Sequence, residues 1–253
     1  MIASITKNKL LIKIIKAILV LAICLAAWEI FALIKDNEFV LPRVKTTLIA
    51  LVKIIGSKGF VTIVFTTIFR VLSGLILGTV FGVILATICH FVPAVNVLVS
   101  PILSIVKATP VASFIVLLWL TLSGTSLPVL IAFLMVLPIV WQNVLDAYSS
   151  LPRKMIEVTQ IYAVSMKKRL KYFYLPHLYR FLAPAFITSI GLAWKSEIAT
   201  EIIAYTKDSI GQQINNHKQY TETPEVFAWT IIIVLLSIVF EAATKYLLRR
   251  YEK

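Results

Sequence analysis

Long apolar runs separated by short cationic segments dominate the chain. The runs fall at about 14–34, 60–91, 95–122, 127–147, 181–205 and 226–248. Each meets or exceeds the roughly 20 residues that a helix needs to cross a bilayer core. None alternates with period two, and lipid leaves backbone polar groups no partners outside helices or closed barrels. The pattern predicts an all-α membrane protein with about six transmembrane helices. Between the first two runs, Val44, Leu48, Leu51, Val52 and Ile55 recur at helical spacing, with Lys45 and Lys53 off that face. This predicts a short amphipathic helix, either lying on the outer membrane surface or packed back on the bundle.

Within the runs, proline and glycine mark special places. Pro110 and Pro138 each remove a backbone hydrogen bond and invite a kink. Such kinks either line a cavity or serve helix packing. Gly74, Gly78 and Gly82 repeat every four residues in the second run, a stripe that lets another helix approach closely.

Composition agrees with the pattern. Apolar residues make up 59% and charged residues 15% of the 253-residue chain. A soluble domain carries about 25% charge. The net charge of +13 could point to nucleic acid, but the cations cluster between apolar runs, as topology signals do. With the N-terminus inside, the segments 1–16, 91–95, 147–180 and the tail hold roughly twice as many Lys and Arg as the outer segments. Both termini are therefore expected in the cytoplasm. Lys7, Lys9, Lys13 and Lys16 precede the first run in signal-peptide fashion, but the run continues through Trp28 to Ile34. An uncleaved first helix is expected. Cys24 and Cys89 have no partner at metal-ligand spacing and read as small buried hydrophobes. No constellation of His, Asp or Cys suggests catalytic, cofactor-binding or metal-binding residues.

Five charges fall in or near spans: Arg70, Lys107, Lys195, Glu197 and Glu201. Intramembrane ions are costly and face a cavity or a partner. Lys107 lies about 18 Å along its run, near mid-bilayer. Glu197 and Glu201 share a helix face, and Lys195 points elsewhere. Either Lys107 and Lys195 line an anion-tolerant path, or one of them pairs with Glu197 and holds helices together. Glu29 has no evident task. The tryptophans read as packing or interface residues.

The longest cytoplasmic segment, 147–180, has its own organisation. Ser149 or Ser150 can cap a helix whose first turn suits Pro152 and which ends near Ala163-Val164. Ser165 can cap a second helix leading into the fifth span. Glu157, near the start of the first helix, could accept bonds from backbone donors there. Glu157, then Ala163 six residues on, then Leu175-Pro176 keep the register of a known motif. The segment resembles the EAA loop of binding-protein-dependent ABC importer permeases. It has Val158-Thr159 for that motif's Ala-Ala and Ala163 for its Gly. Thr67 through Gly78, Lys107 through Ala112, Gly191 through Trp194 with Thr200-Glu201, and Ser209-Ile210-Gly211 are similar to other parts of the same family. The nearest branch is the permease group for nitrate, sulfonates, taurine and some vitamin precursors.

The resemblance implies a type I ABC importer permease fold. It divides the chain into an N-terminal helix with outer amphipathic segment (1–59), a permease domain (60–245) with its coupling loop, and a cytoplasmic tail (246–253). It implies a multi-pass protein of a bacterial inner membrane. Its partners would be a second permease copy, two cytoplasmic ATPase subunits, and an extracytoplasmic binding protein or lipoprotein. Coupling would run through Glu157, Val158, Thr159, Ala163, Val164 and Ser165. Lys167, Lys168 and Arg169 read as topology signals facing lipid. No Gly-x-x-x-x-Gly-Lys-Ser/Thr phosphate loop occurs, so ATP and Mg would sit on the separate ATPase and no cofactor on this chain. The implied substrate is a small anion or a small heterocyclic vitamin precursor. Two rivals stand beside this reading. A stand-alone secondary transporter should show internal repeats with broken helices in both halves. A membrane-embedded lipid-modifying enzyme needs clustered catalytic groups. For the bare loop, the rival is a basic connector drawn to anionic lipid.

Overall fold

The computed structural model describes residues 2–122 and 124–251 and is helical throughout, with no strand among the described residues. Residues 252–253 of the expected tail lie outside it, as do the side chains of Lys7, Lys9, Lys13 and Arg153. Two compact units divide the chain.

The first unit holds the residues up to Phe60 together with Gln213–Ile232. Its main elements are α1 (Ile2–Lys35) and α2 (Val44–Ile55). Glu29, given no task by the sequence, holds the start of α2: its carboxylate accepts the Val44 N–H at 2.9 Å. That is one of the N–H groups a helix start leaves unpaired. Trp28 donates to the Pro42 carbonyl at 3.0 Å and lies 5.5 Å from Phe227 between ring centroids. The buried side of α2 is Thr47, Ala50 and Ile54, whereas Leu48, Val52 and Ile55 of the expected apolar face are exposed.

The second unit holds Val61–Gln212 and the chain from Ile233. It comprises nearly all of α3 (Phe60–Phe91), then α4 (Pro93–Ala108), α5 (Val111–Trp119), α6 (Ser126–Ser149), α7 (Arg153–Ile161), α8 (Met166–Arg169), α9 (Leu175–Ile203), the first turn of α10 (Ile210–Gln219) and most of α11 (Thr223–Tyr251). The middle of the unit is α6. Its Ile131 and Met135, with Leu127 and with Ile115 of α5, form a buried apolar cluster. The glycine stripe of α3 lies against it. A Cβ on Gly74, Gly78 or Gly82 would stand 2.5, 2.7 or 2.9 Å from the Cβ of Ala132, Val136 or Val140. Contact pairs that advance together in steps of four mean that the two helices run parallel with backbones nearly touching.

Two expected spans need correction. The third is not one helix. α4 and α5 meet at Thr109-Pro110 with a bend of 101°. Pro110 begins α5, and the missing N–H with its restriction on Thr109 ends α4 there. Lys107 thus stands at the end of a helix beside a sharp break. Pro138, the other expected kink, lies inside an unbroken α6. Among the described residues, four helices are long and apolar enough to cross a membrane, or up to five if the bent pair is one span. The expected fifth span, α9, is long enough but falls below that apolarity. Its polar residues, Ser189, Ser196, Glu197, Thr200 and Glu201, are buried in the unit, away from lipid.

Candidate functional site

Two features gather the chemistry: the loop between α6 and α9, and the charges near the far end of α9.

The loop begins where α6 stops. Ser150 closes α6 and does not cap α7. Its hydroxyl reaches the Ala147 carbonyl and His177 Nε2, each at 2.9 Å. Pro152 stands at the N-cap of α7, with no side-chain capping bond. Glu157 is exposed in the middle of this nine-residue helix, beyond the first-turn N–H groups, so the expected role as their acceptor is corrected. The helix ends in a Schellman turn. The Ala163 N–H donates to the Gln160 carbonyl at 2.9 Å, and the Val164 N–H to the Thr159 carbonyl at 3.0 Å. This closure needs a left-handed residue, usually glycine, and Ala163 supplies it at φ 48°. Arg169 then donates from Nε to the Val164 carbonyl at 2.8 Å. Arg169 is therefore a brace for the turn, more than the topology signal the sequence suggested. Ser165 precedes α8 as expected, without a side-chain bond. A π-helical stretch, Leu170–Tyr174, joins α8 to α9.

Apolar residues project from this small frame. Val158, Ile161 and Tyr162 are 51%, 79% and 77% exposed. At spacings of three and four they share one side of α7 and its end. Beneath the frame, aromatic rings tie helix ends together. His90 of α3 stacks on Tyr148 of α6 at 4.3 Å, Tyr148 bonds Thr87 at 3.2 Å, and its ring lies 6.2 Å from Tyr174. A tethered base and an apolar tip are what a lever between a bundle and a docked partner requires.

At the other end of the unit, Glu201 is the hub of a buried network. It accepts bonds from Thr67 Oγ1 at 2.9 Å, from Arg70 Nη1 at 3.1 Å and from the Gly211 N–H at 3.1 Å. Arg70 Nη2 also reaches the Lys207 carbonyl at 3.0 Å, and the Ile210 N–H donates to Thr67 Oγ1 at 3.1 Å. The first turn of α10 is thereby fastened to α3 and α9. Gly211 makes this possible, because a Cβ there would collide with Glu201. The pairing differs from the expected one. Arg70 takes Glu201, whereas Glu197 is fully buried with neither carboxyl oxygen hydrogen-bonded among the described residues. Lys107 and Lys195 are both exposed and join no ion pair there. The sequence reading missed Thr67, Gly211 and Tyr148 as individual residues, and gave Arg169 a different role. The signal available was their position: all lie inside segments already singled out, Thr67 and Gly211 in family-like stretches and Tyr148 and Arg169 in the 147–180 loop. Among the described residues no three His, Cys, Asp or Glu side chains gather as metal ligands.

Residues 78–253, more than half of the chain, match the family described as binding-protein-dependent transport system inner membrane component. The chain is similar to the taurine transport system permease protein of Escherichia coli strain K12, at 22% identity over 238 residues, covering 91% of this chain and 86% of that protein. It is also similar to a Bacillus subtilis strain 168 permease protein named for aliphatic sulfonates transport, at 22% over 241 residues, covering 94% and 87%. Among solved structures, an amino acid ABC transporter crystallised with histidines overlays with a TM-score of 0.60 at 13% identity, over 77% of this chain and 92% of that one. At that identity the likeness concerns the fold.

Proposed function

The chain belongs to the inner membrane components of binding-protein-dependent transport systems, and from that premise we propose that it forms half of an import path worked by a separate ATPase through the α7 loop. The family is a transport family, and ABC permeases of this kind act with ATPase and binding-protein partners. The finer reading is a homodimer of this chain with two cytoplasmic ATPase subunits, which carry ATP and Mg, and an extracytoplasmic binding protein. In it both termini lie in the cytoplasm of a bacterium.

One observation carries the coupling role. Val158, Ile161 and Tyr162 lie open on a short helix that the Ala163 turn and Arg169 hold in place. Exposed apolar side chains on a fixed helix suit a groove in a partner, and a few buried apolar or aromatic anchors supply most of such an interface's energy. Glu157, Val158, Thr159, Ala163, Val164 and Ser165 form this element. A basic connector drawn to lipid would need no fixed turn. Names of the relatives point to sulfonates, so a small sulfonate-like anion is the substrate proposed.

Crosslinking tests the docking. Ser165→Cys, exposed beside the tip, should form a crosslink to an ATPase subunit in membranes that express the whole transporter. Absence of any crosslink, with the complex otherwise intact, would refute docking through this loop.

A further inference from the structure

The burial pattern of α9 leaves one side open. Ser189, Ile190, Ala193, Trp194, Glu197 and Glu201 are buried, while Pro184, Thr188 and Lys195 are exposed. Gly191 completes the open stripe, and a Cβ there would meet nothing within 4 Å. Positions 184, 188, 191 and 195 step by four, three and four, which is one face of a helix. Lys195 lies about 12 Å along the axis from the end of α9 at Ile203. At that depth an ammonium facing hydrocarbon is costly, and the neighbouring Thr188 and Gly191 offer lipid little apolar surface.

Lys107 belongs to the same region. It and Leu192 line one cavity of about 280 Å³, together with Thr109, Val111, Met135 and Pro138. That size lies near the low end of the roughly 300–1,000 Å³ typical of small-molecule sites. Leu192 and Lys195 are three apart on α9, hence neighbours on its surface. The break at Pro110 puts Lys107 at a helix end beside this cavity. The nearby carboxylates do not neutralise the lysines. Glu201 is taken by Arg70, and Glu197 is buried about 200° around the helix from Lys195.

Lys107 on a small cavity and Lys195 on the adjoining open side of α9, neither with a carboxylate partner among the described residues, are the makings of an anion site. We propose that Lys107 and Lys195 hold the anionic head of the substrate as it passes along the open face of α9. The ligand class is a small oxyanion, such as a sulfonate or a carboxylate. The proposal rests on the permease reading and deepens it.

Charge-selective labelling provides the test. In the transporter assembled with its ATPase subunits in proteoliposomes, Cys24 and Cys89 are replaced by Ala and Thr188 by Cys. Modification by an anionic ethylsulfonate thiosulfonate reagent is compared with that by its cationic trimethylammonium analogue, each scaled to its rate with a free thiol. The anionic reagent should be favoured by about tenfold or more, within the range of electrostatic focusing in clefts. Lys107→Met with Lys195→Met should bring the ratio to near unity, and the two Arg variants should keep it. Gly191→Cys gives a second reading from the same stripe should Thr188→Cys fail to accumulate. Equal rates with both lysines present, a ratio unmoved by their removal, or no labelling by either reagent would each overturn the proposal. The two readings fail separately. Charge preference in a transporter whose Ser165→Cys gives no crosslink to its ATPase leaves the anion site standing and removes the coupling role. Nucleotide-coupled activity without charge preference does the reverse.

Discussion

Ala163 holds a left-handed backbone that costs a residue with a Cβ roughly 1–2 kcal/mol. The register of the loop identified the position, and the Schellman turn supplies the physical reason why the related motif has glycine there. Ala163→Gly should therefore raise stability by about 0.5–1 kcal/mol and leave transport intact. Ala163→Val, β-branched at positive φ, should distort the turn and uncouple ATP hydrolysis from uptake while the protein still inserts. Thermal unfolding in detergent and coupled uptake check the pair, and an uncoupled glycine variant would contradict the account. Glu201 and Arg70 allow a second test at this scale. Arg70→Met leaves a buried carboxylate without its cation and should cost about 3–5 kcal/mol. Adding Glu201→Leu should recover much of that loss, because removing both charges of a buried pair is often near neutral. The sequence placed these ions in or near expected spans. It could not show which pair, because Arg70 and Glu201 are brought together by packing between elements far apart in the chain.

At the scale of elements, legibility followed the length of the pattern. The helices and the glycine stripe of α3 could be read because periods of 3.6 and four are local properties. The break at Pro110 was legible as a place, but its 101° size was not, because packing on either side sets the angle. α9 was legible as a helix, but its burial was not. Its polar stripe reads the same whether it faces water, a partner or the rest of the bundle. Of the loop's exposed apolar tip, Val158 was singled out through its place in the motif, but Ile161 and Tyr162 were not, because an apolar side chain in a sequence looks like core whether it is buried or exposed. The close approach of α3 and α6 is directly testable. Gly78→Val should destabilise the protein by about 1–3 kcal/mol through overpacking against Val136. Val136→Gly should partly restore it, as read by unfolding in detergent. Unchanged stability in the single variant would contradict the packing.

At the scale of the whole molecule, the features lie at two levels of the second unit. Buried hydrogen bonds around Glu201 fasten the first turn of α10 to α3 and α9, while the aromatic contacts of Tyr148 secure the helix ends next to the loop. Long, closely packed helices join the two levels, so a push on α7 has stiff elements to act through. The measurement that tests this most directly is ATP hydrolysis by the ATPase subunits assembled on wild-type permease and on Ile161→Asp, with and without loaded binding protein. Wild type should retain the subunits, and loaded binding protein should raise their rate. Ile161→Asp, a charge set into the exposed apolar tip, should lose both by tenfold or more at unchanged membrane levels. Equal retention and stimulation in the two proteins would contradict coupling through the α7 tip.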